Sequence, residues 1–487
     1  MQINNTKTRQ IEEFKPMSSR EVKVYYCGPT VYNYAHIWNL RTFVFEDVVV
    51  KTLRFLWYNV KTVMNITDVD DKTIRDSQAA WEKLSDFTQK YTKIFLDDID
   101  KLNITPADDV VPVTTLIPEM VRMIQTMINR KNAYLWDDGS IYFDVKSFKK
   151  YWNLAWIDMC NCGLQAWARV DNDEYEKENV ADFVLWKSWK ESDWDNFWNE
   201  TFKIDWKEVV LKWRPGWHIE CSACNMKYFW AQIDIHMWGT DLVFPHHQNE
   251  IAQTESCTKK EFSKYWLHSG HLMVDGKKMS KSANNFYTLN DLEEKYKDTD
   301  SSLLYRAIRL SFMNAKYNSQ VDFTFDKLES NFNTIKWIDE AIKTVDREIQ
   351  TTQNFAVVSR DFSEAMQDYI GEYMYHLEDD FNMPEALAVF HNFIKFVNTW
   401  VREKLFSLAE LSSINDMFRT FNQVLSIIDF DILKQDEISD DIKELFEKRN
   451  QAKKDKDFES ADKYRDELIE KWYKIVDSRE WSYLEKL

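Results

Sequence analysis

The sequence predicts an α/β fold built on a parallel sheet, followed by a separate helical region. Two observations carry this. Residues 21–66 read strand, helix, strand at the spacing of a βαβ unit, which puts a ligand crevice at the carboxyl end of the sheet. After about Phe325 the pattern is helical almost throughout, and Gly371 is the one glycine left. The length of 487 residues agrees, since it suggests three or four domains at about 100–200 residues each.

The elements follow in order. Glu21–Tyr26 alternates polar and apolar residues and turns at Cys27-Gly28-Pro29-Thr30, as a strand entering a loop does. From about Asn39 to Leu56, the positions Leu40, Phe43, Val44, Val48, Val49 and Leu53 have helical spacing. A second strand is expected at Val60–Ile66. Residues 75–130 read as helical. Residues 131–235 mix short strands, around Tyr142–Val145 and Phe183–Trp186, with acidic loops. Two site-like segments, His236–Glu255 and Leu267–Phe286, precede the helical region. One long charged helix is expected at Ile442–Lys471.

Composition narrows the class. Hydrophobic residues at 44% and charged residues at 30% exclude a disordered chain. No run of about 18 apolar residues occurs and Met1–Asn5 opens no apolar signal core, so a cytoplasmic protein without a membrane span is expected. Six cysteines in such a chain suggest metal or catalysis and not a disulfide framework. The net charge of −18 argues against a nonspecific nucleic-acid coat, though not against local basic patches. One such stripe is Lys448, Arg449, Lys453, Lys454 and Lys456, interleaved with acids.

Two short motifs carry phosphate chemistry. His36-Ile37-Trp38-Asn39 opens the first helix, where free N–H groups and the macrodipole favour anions. Lys278-Met279-Ser280-Lys281-Ser282 sets two lysines and two hydroxyls in five residues, a set suited to a mobile clamp on a leaving pyrophosphate. Taken singly, each is ordinary: a helix-capping histidine and a solvated basic turn.

Together they resemble the HIGH and KMSKS signatures of class I aminoacyl-tRNA synthetases. The blocks Tyr26–Tyr32, Asn65–Lys72, Arg214–Ala223, Phe244–Glu250 and Asp379–Ala386 narrow the resemblance to the cysteinyl-tRNA synthetases. They run in that family's order along the whole chain. The resemblance implies a Rossmann-type catalytic domain (residues 1–74 and 236–270) interrupted by an insertion and connecting segment (75–235). A stem-contact segment with the KMSKS loop (271–325), an all-α anticodon-binding bundle (326–436) and a small C-terminal domain (437–487) would follow. It implies an ATP-dependent ligase that activates L-cysteine with Mg-ATP and transfers it to tRNA(Cys), acting as a monomer.

By that resemblance His36, Asn39, Lys278 and Lys281 serve catalysis. His36, Asn39, Asp241 and Lys281 bind ATP. Gly28, Thr67, Trp217 and His236 line the pocket for the amino acid. Cys27, Cys221, His246 and Glu250 hold one zinc ion, which recognises the substrate thiolate; thiolates, imidazole and carboxylate are ordinary zinc donors. A soft metal separates cysteine from serine where a small pocket would not. A rival structural site made from Cys160, Cys162, Cys221 and Cys224 has one pair at poor chelating spacing. Two other functions share many of these residues: a ligase joining cysteine to an amino sugar, and a noncatalytic tRNA-binding paralogue. The helical tail favours tRNA over the first.

One count is abnormal. Glycine is 8 and tryptophan 21, where the usual glycine share of about 7% would give about 34. Trp38, Trp57, Trp167, Trp213, Trp230, Trp238 and Trp472 stand where the family has glycine, while Trp186, Trp217 and Trp266 stand where it has tryptophan. A decoding difference accounts for both facts: UGA codons that are glycine in the source, translated as tryptophan. The printed indole at position 38 is then expected to obstruct the nucleotide.

Overall fold

The computed structural model describes residues 1–154, 182–279, 285–403, 406–434, 440–471, 473–477 and 482–486. They form two compact units, Met1–Ile428 and Asp429–Leu487.

The first unit opens on a hairpin, β1 (Gln2–Asn5) and β2 (Gln10–Glu13), and enters the sheet at β3 (Val22–Tyr26). Helix α1 (Ile37–Phe55) returns the chain to β4 (Val60–Ile66), closing the expected βαβ unit. Helices α2 (Asp71–Ala79) and α3 (Leu84–Lys101) follow, then β5 (Asp109–Pro112). The all-helical expectation for 75–130 is corrected here: β5 is the edge strand of the parallel sheet, paired with β4. Its four residues are too short to show a period between two helical segments.

Helix α4 (Ile117–Asn129) leads to a second, antiparallel sheet of β6 (Ala133–Leu135), β7 (Ile141–Phe143), β8 (Phe183–Ser188), β9 (Trp198–Ile204) and β10 (Lys207–Pro215). Helix α5 (Trp217–Tyr228), β11 (Ile233–Gly239), α6 (Gln248–Thr258) and β12 (Ser263–Ser269) complete the first sheet. Its order is β12-β11-β3-β4-β5, parallel throughout. Its strands are apolar on both faces, as in a sheet covered on both sides: Val24, Val63, Ile235 and Leu267 are all fully buried. The chain runs from β3 to β4 on one side and β11 lies on the other, so the switch point falls between β3 and β11. Ligands bind at such a crevice, outside the carboxyl ends of the strands.

Beyond the sheet come β13 (Leu272–Val274), β14 (Lys277–Lys278), α7 (Leu289–Lys295), α8 (Ser301–Met313) and β15 (Val321–Phe323). The helical region is α9 (Phe325–Thr351), α10 (Arg360–Glu378), α11 (Met383–Arg402) and α12 (Leu408–Leu425). Buried Arg309 of α8 ties α1, the end of α3 and the end of α12 together. It donates to Asp47 of α1 at 2.5 Å, to Leu425 O at 2.7 Å and to Leu102 O at 3.1 Å.

The second unit holds α13 (Asp440–Lys454), α14 (Phe458–Glu470) and a hairpin of β16 (Tyr473–Asp477) with β17 (Ser482–Lys486). The single helix expected at 442–471 is two. Lys456 turns left-handed at φ +63°, and the Asp457 side chain caps the second helix by accepting the Ser460 N–H. No helix of the described residues is long and apolar enough to cross a membrane.

Candidate active site

The first residues of the site leave the end of β3. Cys27 and Gly28 turn there against β4, so closely that a Cβ on Gly28 would stand 1.5 Å from the Asn65 carbonyl oxygen. The Gly28 N–H donates to Asn65 Oδ1 at 2.9 Å, and the buried Tyr25 hydroxyl donates to the same oxygen at 2.8 Å. Gly216 and the first turn of α5 bring Trp217 and Cys221 to the same place. His246 precedes α6 and Glu250 lies in its first turn, four residues on, so both face one way.

The four expected metal donors meet. One ligand atom from each of Cys27, Cys221, His246 and Glu250 lies within 4.8 Å of the others, and all four residues are buried. The Sγ atoms are 3.8 Å apart, His246 Nε2 is 3.4 Å from Cys221 Sγ, and Glu250 Oε1 is 3.8 Å from Cys27 Sγ. A tetrahedral zinc with Zn–S about 2.3 Å and Zn–N about 2.0–2.1 Å sets S–S edges near ~3.8 Å and S–N edges near ~3.5 Å. The residues therefore fit that ion. The 3.0 Å His246–Glu250 edge is shorter than such a tetrahedron gives.

A second group, Cys27, His236, His247 and Glu250, overlaps the first. It shares one thiol and the carboxylate but offers a single sulfur, so it is the harder donor set. His236 Nε2 donates to Glu250 Oε2 at 2.9 Å, and so orients the carboxylate whose other oxygen faces the two cysteines. His246 Nδ1 meets His218 Nδ1 at 2.8 Å, and His247 Nδ1 meets His268 Nε2 at 2.8 Å.

Charge is divided unevenly over the cluster. Burial pushes the Cys27 thiol well up, reinforced by Cys221 and Glu250. Burial also pushes Cys221 up, but the hydrogen bond with Cys27 and the nearby His246 outweigh it and bring it down to about 6. For Glu250 burial is again overcome, by His236 and His246, leaving it at about 2. His246 is disfavoured as a cation by burial, yet Cys221 and Glu250 raise it to about 10. The Cys221 thiolate and the Glu250 carboxylate are thus balanced by the His246 imidazolium, whose proton a metal bound there would replace.

The expected pocket-wall residues surround this cluster. Thr67 is buried and its hydroxyl donates to Glu220 Oε2 at 2.9 Å. The Trp217 ring lies 4.4 Å from that of His246. His236 is fully buried, and its Nδ1 has no hydrogen-bond partner among the described residues.

The nucleotide end is set by α1. His36 is its N-cap, with Nδ1 accepting the Asn39 N–H at 3.2 Å, which leaves the proton of the neutral ring on Nε2. The Ile37 N–H donates to Tyr287 O at 2.9 Å, and His36 pairs with Thr288 as an antiparallel bridge. The chain after the lysine-rich loop is thereby fastened to the helix N-terminus. Lys278 ends β14, while Lys281 lies outside the described residues. Asp241 sits exposed in the turn Thr240–Leu242.

The sequence motifs enclosed two supporting residues without marking them. Asn65 fixes the Cys27–Gly28 turn, and its amide donates to Thr67 Oγ1 at 3.2 Å; His218 backs His246. Their signal was membership of the same short blocks. Cys224 is buried apart from both donor groups, and Cys160 and Cys162 lie outside the described residues. Within the basic stripe, Lys448 pairs with Glu444 at 2.6 Å. Arg449 is buried, donating to Asn450 and Ser482, so the stripe does not face outward as a whole.

Comparisons with known proteins match this chain along most of its length. Residues 13–333 match the family model of the tRNA synthetases class I (C) catalytic domain, and residues 372–429 match the DALR domain. The cysteine--tRNA ligase of Chlamydia felis is 39% identical over 485 residues, covering 100% of this chain and 98% of that protein. The cysteine--tRNA ligase of Brachyspira hyodysenteriae is also 39% identical, over 480 residues and 97% of each. Among solved structures, an Agrobacterium radiobacter leucyl-tRNA synthetase complex shares the fold at TM-score 0.61 and 10% identity, over 87% of this chain and 86% of that one. Mycobacterium tuberculosis methionyl-tRNA synthetase does so at TM-score 0.57 and 13% identity, over 84% and 90%.

Proposed function

The chain belongs to the cysteine--tRNA ligase family of class I tRNA synthetases, and from that premise we propose how its own residues carry the reaction. It is an ATP-dependent ligase. The cysteine carboxylate attacks the α-phosphorus of ATP, forming the mixed anhydride and releasing pyrophosphate. A hydroxyl of the tRNA terminal ribose then takes the cysteinyl group and AMP leaves.

Cys27, Cys221, His246 and Glu250 hold one zinc ion per chain. When bound, it supplies a soft Lewis-acidic point that prefers the thiolate of cysteine to the hydroxyl of serine. The convergence of those four buried donors within 4.8 Å of one another, with the two sulfurs at a tetrahedral edge length, is the observation that carries this reading. His236 keeps Glu250 turned toward the donors and, with Thr67, Trp217 and the backbone at Gly28, walls the amino-acid pocket. His36 and Asn39 bind phosphate oxygens at the helix N-terminus, and Asp241 meets the adenosine. Lys278 and Lys281 stabilise the charge that develops on pyrophosphate. Catalysis is then mainly positioning and electrostatics. The donor set is complete within one chain, in keeping with a monomer, and the substrates place its work in the cytoplasm. The DALR match and the full-length relatives favour tRNA over an amino sugar as acceptor.

The test is zinc content beside cysteine-dependent pyrophosphate exchange, both measured on a chain carrying Trp38→Gly. Cys27→Ser and Cys221→Ser are expected to lose both. If Cys27→Ser kept zinc and activity while Cys224→Ser lost them, the ligand set would be wrong. Loss of zinc in His247→Asn with retention in Cys221→Ser would transfer the site to the overlapping donor group. Lys281→Ala is expected to slow single-turnover adenylation by about 2.7–4 kcal/mol in barrier, with a smaller change in the Michaelis constant for ATP.

A further inference from the structure

Five tryptophans hold a left-handed backbone: Trp57 (φ +67°), Trp81 (+58°), Trp194 (+51°), Trp206 (+64°) and Trp230 (+68°). Among the described glycines two do, Gly139 and Gly276. An L-residue at such a φ sets its Cβ against the following carbonyl oxygen, and for a bulky side chain the conformation is a true outlier. Asn and Asp offset part of the cost with a local side-chain hydrogen bond; an indole has no such acceptor.

The same five are the exposed tryptophans of the described residues, from 49% at Trp194 through 91% at Trp57 to full exposure at Trp206. Trp186 and Trp266 are their opposite, fully buried and without a positive φ. At Trp57, Trp81, Trp206 and Trp230 the strained backbone is therefore not offset by packing of the indole, and at the half-exposed Trp194 it is offset only in part.

The turns themselves ask for glycine. At the end of α1, the Tyr58 N–H donates to Leu53 O and the Trp57 N–H to Arg54 O, a Schellman motif with Trp57 at its left-handed C′ position. The end of α2 repeats it, with Glu82 to Ser77 O and Trp81 to Gln78 O. Between β9 and β10, Ile204 pairs with Lys207 across a two-residue loop, Asp205-Trp206, in which both φ are positive. That is the type I′ turn, for which Asp-Gly is among the strongest sequences. Trp194 lies at φ +51°, ψ −125°, the first corner of a type II′ turn and a glycine conformation. Trp230 follows the C-cap of α5.

We infer that positions 57, 81, 194, 206 and 230 are glycine in the working protein, through one codon read as glycine in the cell and printed as tryptophan, and that position 38 belongs to the same set. Trp81, Trp194 and Trp206 sit in no motif that marks them; ten other non-glycine residues, Lys131 and Phe381 among them, also hold a positive φ, so it is the left-handed backbone together with an exposed indole that identifies these three. Trp38 is the consequential member. Its ring stands 5.0 Å from that of His271 and 6.1 Å from that of His36, at the helix N-terminus assigned to phosphate. The extension to position 38 rests on the proposed nucleotide site, whereas the five turn positions stand without it.

Three full-length chains test this: the printed chain, one with Trp57→Gly, Trp81→Gly, Trp194→Gly, Trp206→Gly and Trp230→Gly, and one with alanine at those five positions. Glycine is expected to raise the thermal midpoint by about 5 °C. Alanine removes the indole but keeps the Cβ, and is expected to give less than half of that. Equal gains from alanine would overturn the inference. The gene gives an independent answer: UGA is expected at the five positions and UGG at Trp186 and Trp266, and UGG at the five would overturn it. Adding Trp38→Gly to the five-glycine chain is expected to tighten ATP binding at least tenfold by calorimetry. Unchanged ATP affinity would strike position 38 from the set, while leaving both the five turns and the metal reading to their own tests.

Discussion

At Gly28 the backbone is ordinary and there is no room for a side chain; at Trp206 there is open solvent and the backbone is of the wrong hand for one. The crevice demands glycine through space and the outer turns demand it through torsion. Gly216 and Gly270 share the first demand, since a Cβ would stand 2.4 Å from Val184 O and 2.2 Å from Ser319 O. The two demands fail differently. A side chain in the crevice must push a strand aside, whereas one at a turn swings into water and leaves the fold intact. This is why a chain carrying tryptophan at five such turns still assembles its donor cluster.

Gly28→Ala should have the largest effect. With Asn65 O in the way, β3 and β4 must part at the Cys27 turn, and cysteine-dependent pyrophosphate exchange should fall more than 100-fold, with loss of zinc. Near-normal exchange would show that the turn can yield. Next, Trp266→Ala empties a fully buried site in β12 and should cost about 3–5 kcal/mol in denaturant unfolding. A cost near zero would erase the distinction between core and turn tryptophans.

Asp98 presents a buried cost that is electrostatic. Burial outweighs the partial relief from Lys101 and pushes its carboxyl up to about 6. The folded state therefore holds that proton more tightly than the unfolded one, and the penalty is full above pH 6 and relieved as the pH falls toward 4. Asp98→Asn should gain roughly 2 kcal/mol at pH 7 and nothing near pH 4. A gain independent of pH would assign the effect to packing. Smallest is Trp206→Gly, expected to add about 1 kcal/mol once the greater freedom of unfolded glycine is set against the relieved torsion. A loss of stability would mean that the indole packs in solution.

The site was more legible in the sequence than the turns were. Cys27, Cys221, His246 and Glu250 sit in short blocks where side-chain chemistry is specified residue by residue, and β4 was readable to its ends because Val60–Ile66 is bounded by turn signals. The strand Asp109–Pro112 was not, because its four residues are too short for a period and the Lys61–Asp109 ion pair that joins it to β4 looks like ordinary surface charge in the sequence. The break at 455–457 was hidden because a capping aspartate inside a charged helix looks like one more surface charge. Trp81, Trp194 and Trp206 were illegible for a related reason. A tryptophan reads as core until its φ is known, and the one cue, Asp205-Trp206, becomes a turn signal only when the second residue is glycine.

Selection of cysteine in this crevice is proposed to run through a metal held by two thiolates, an imidazole and a carboxylate. It is tested most directly by pyrophosphate exchange on the glycine-restored chain, with cysteine or serine as substrate, before and after removal of metal by a chelator. Strong exchange is expected with cysteine, exchange with serine lower by at least 100-fold, and loss of the cysteine signal on chelation with recovery on adding zinc. Comparable exchange with serine, or undiminished exchange with cysteine after the metal is gone, would contradict that proposal.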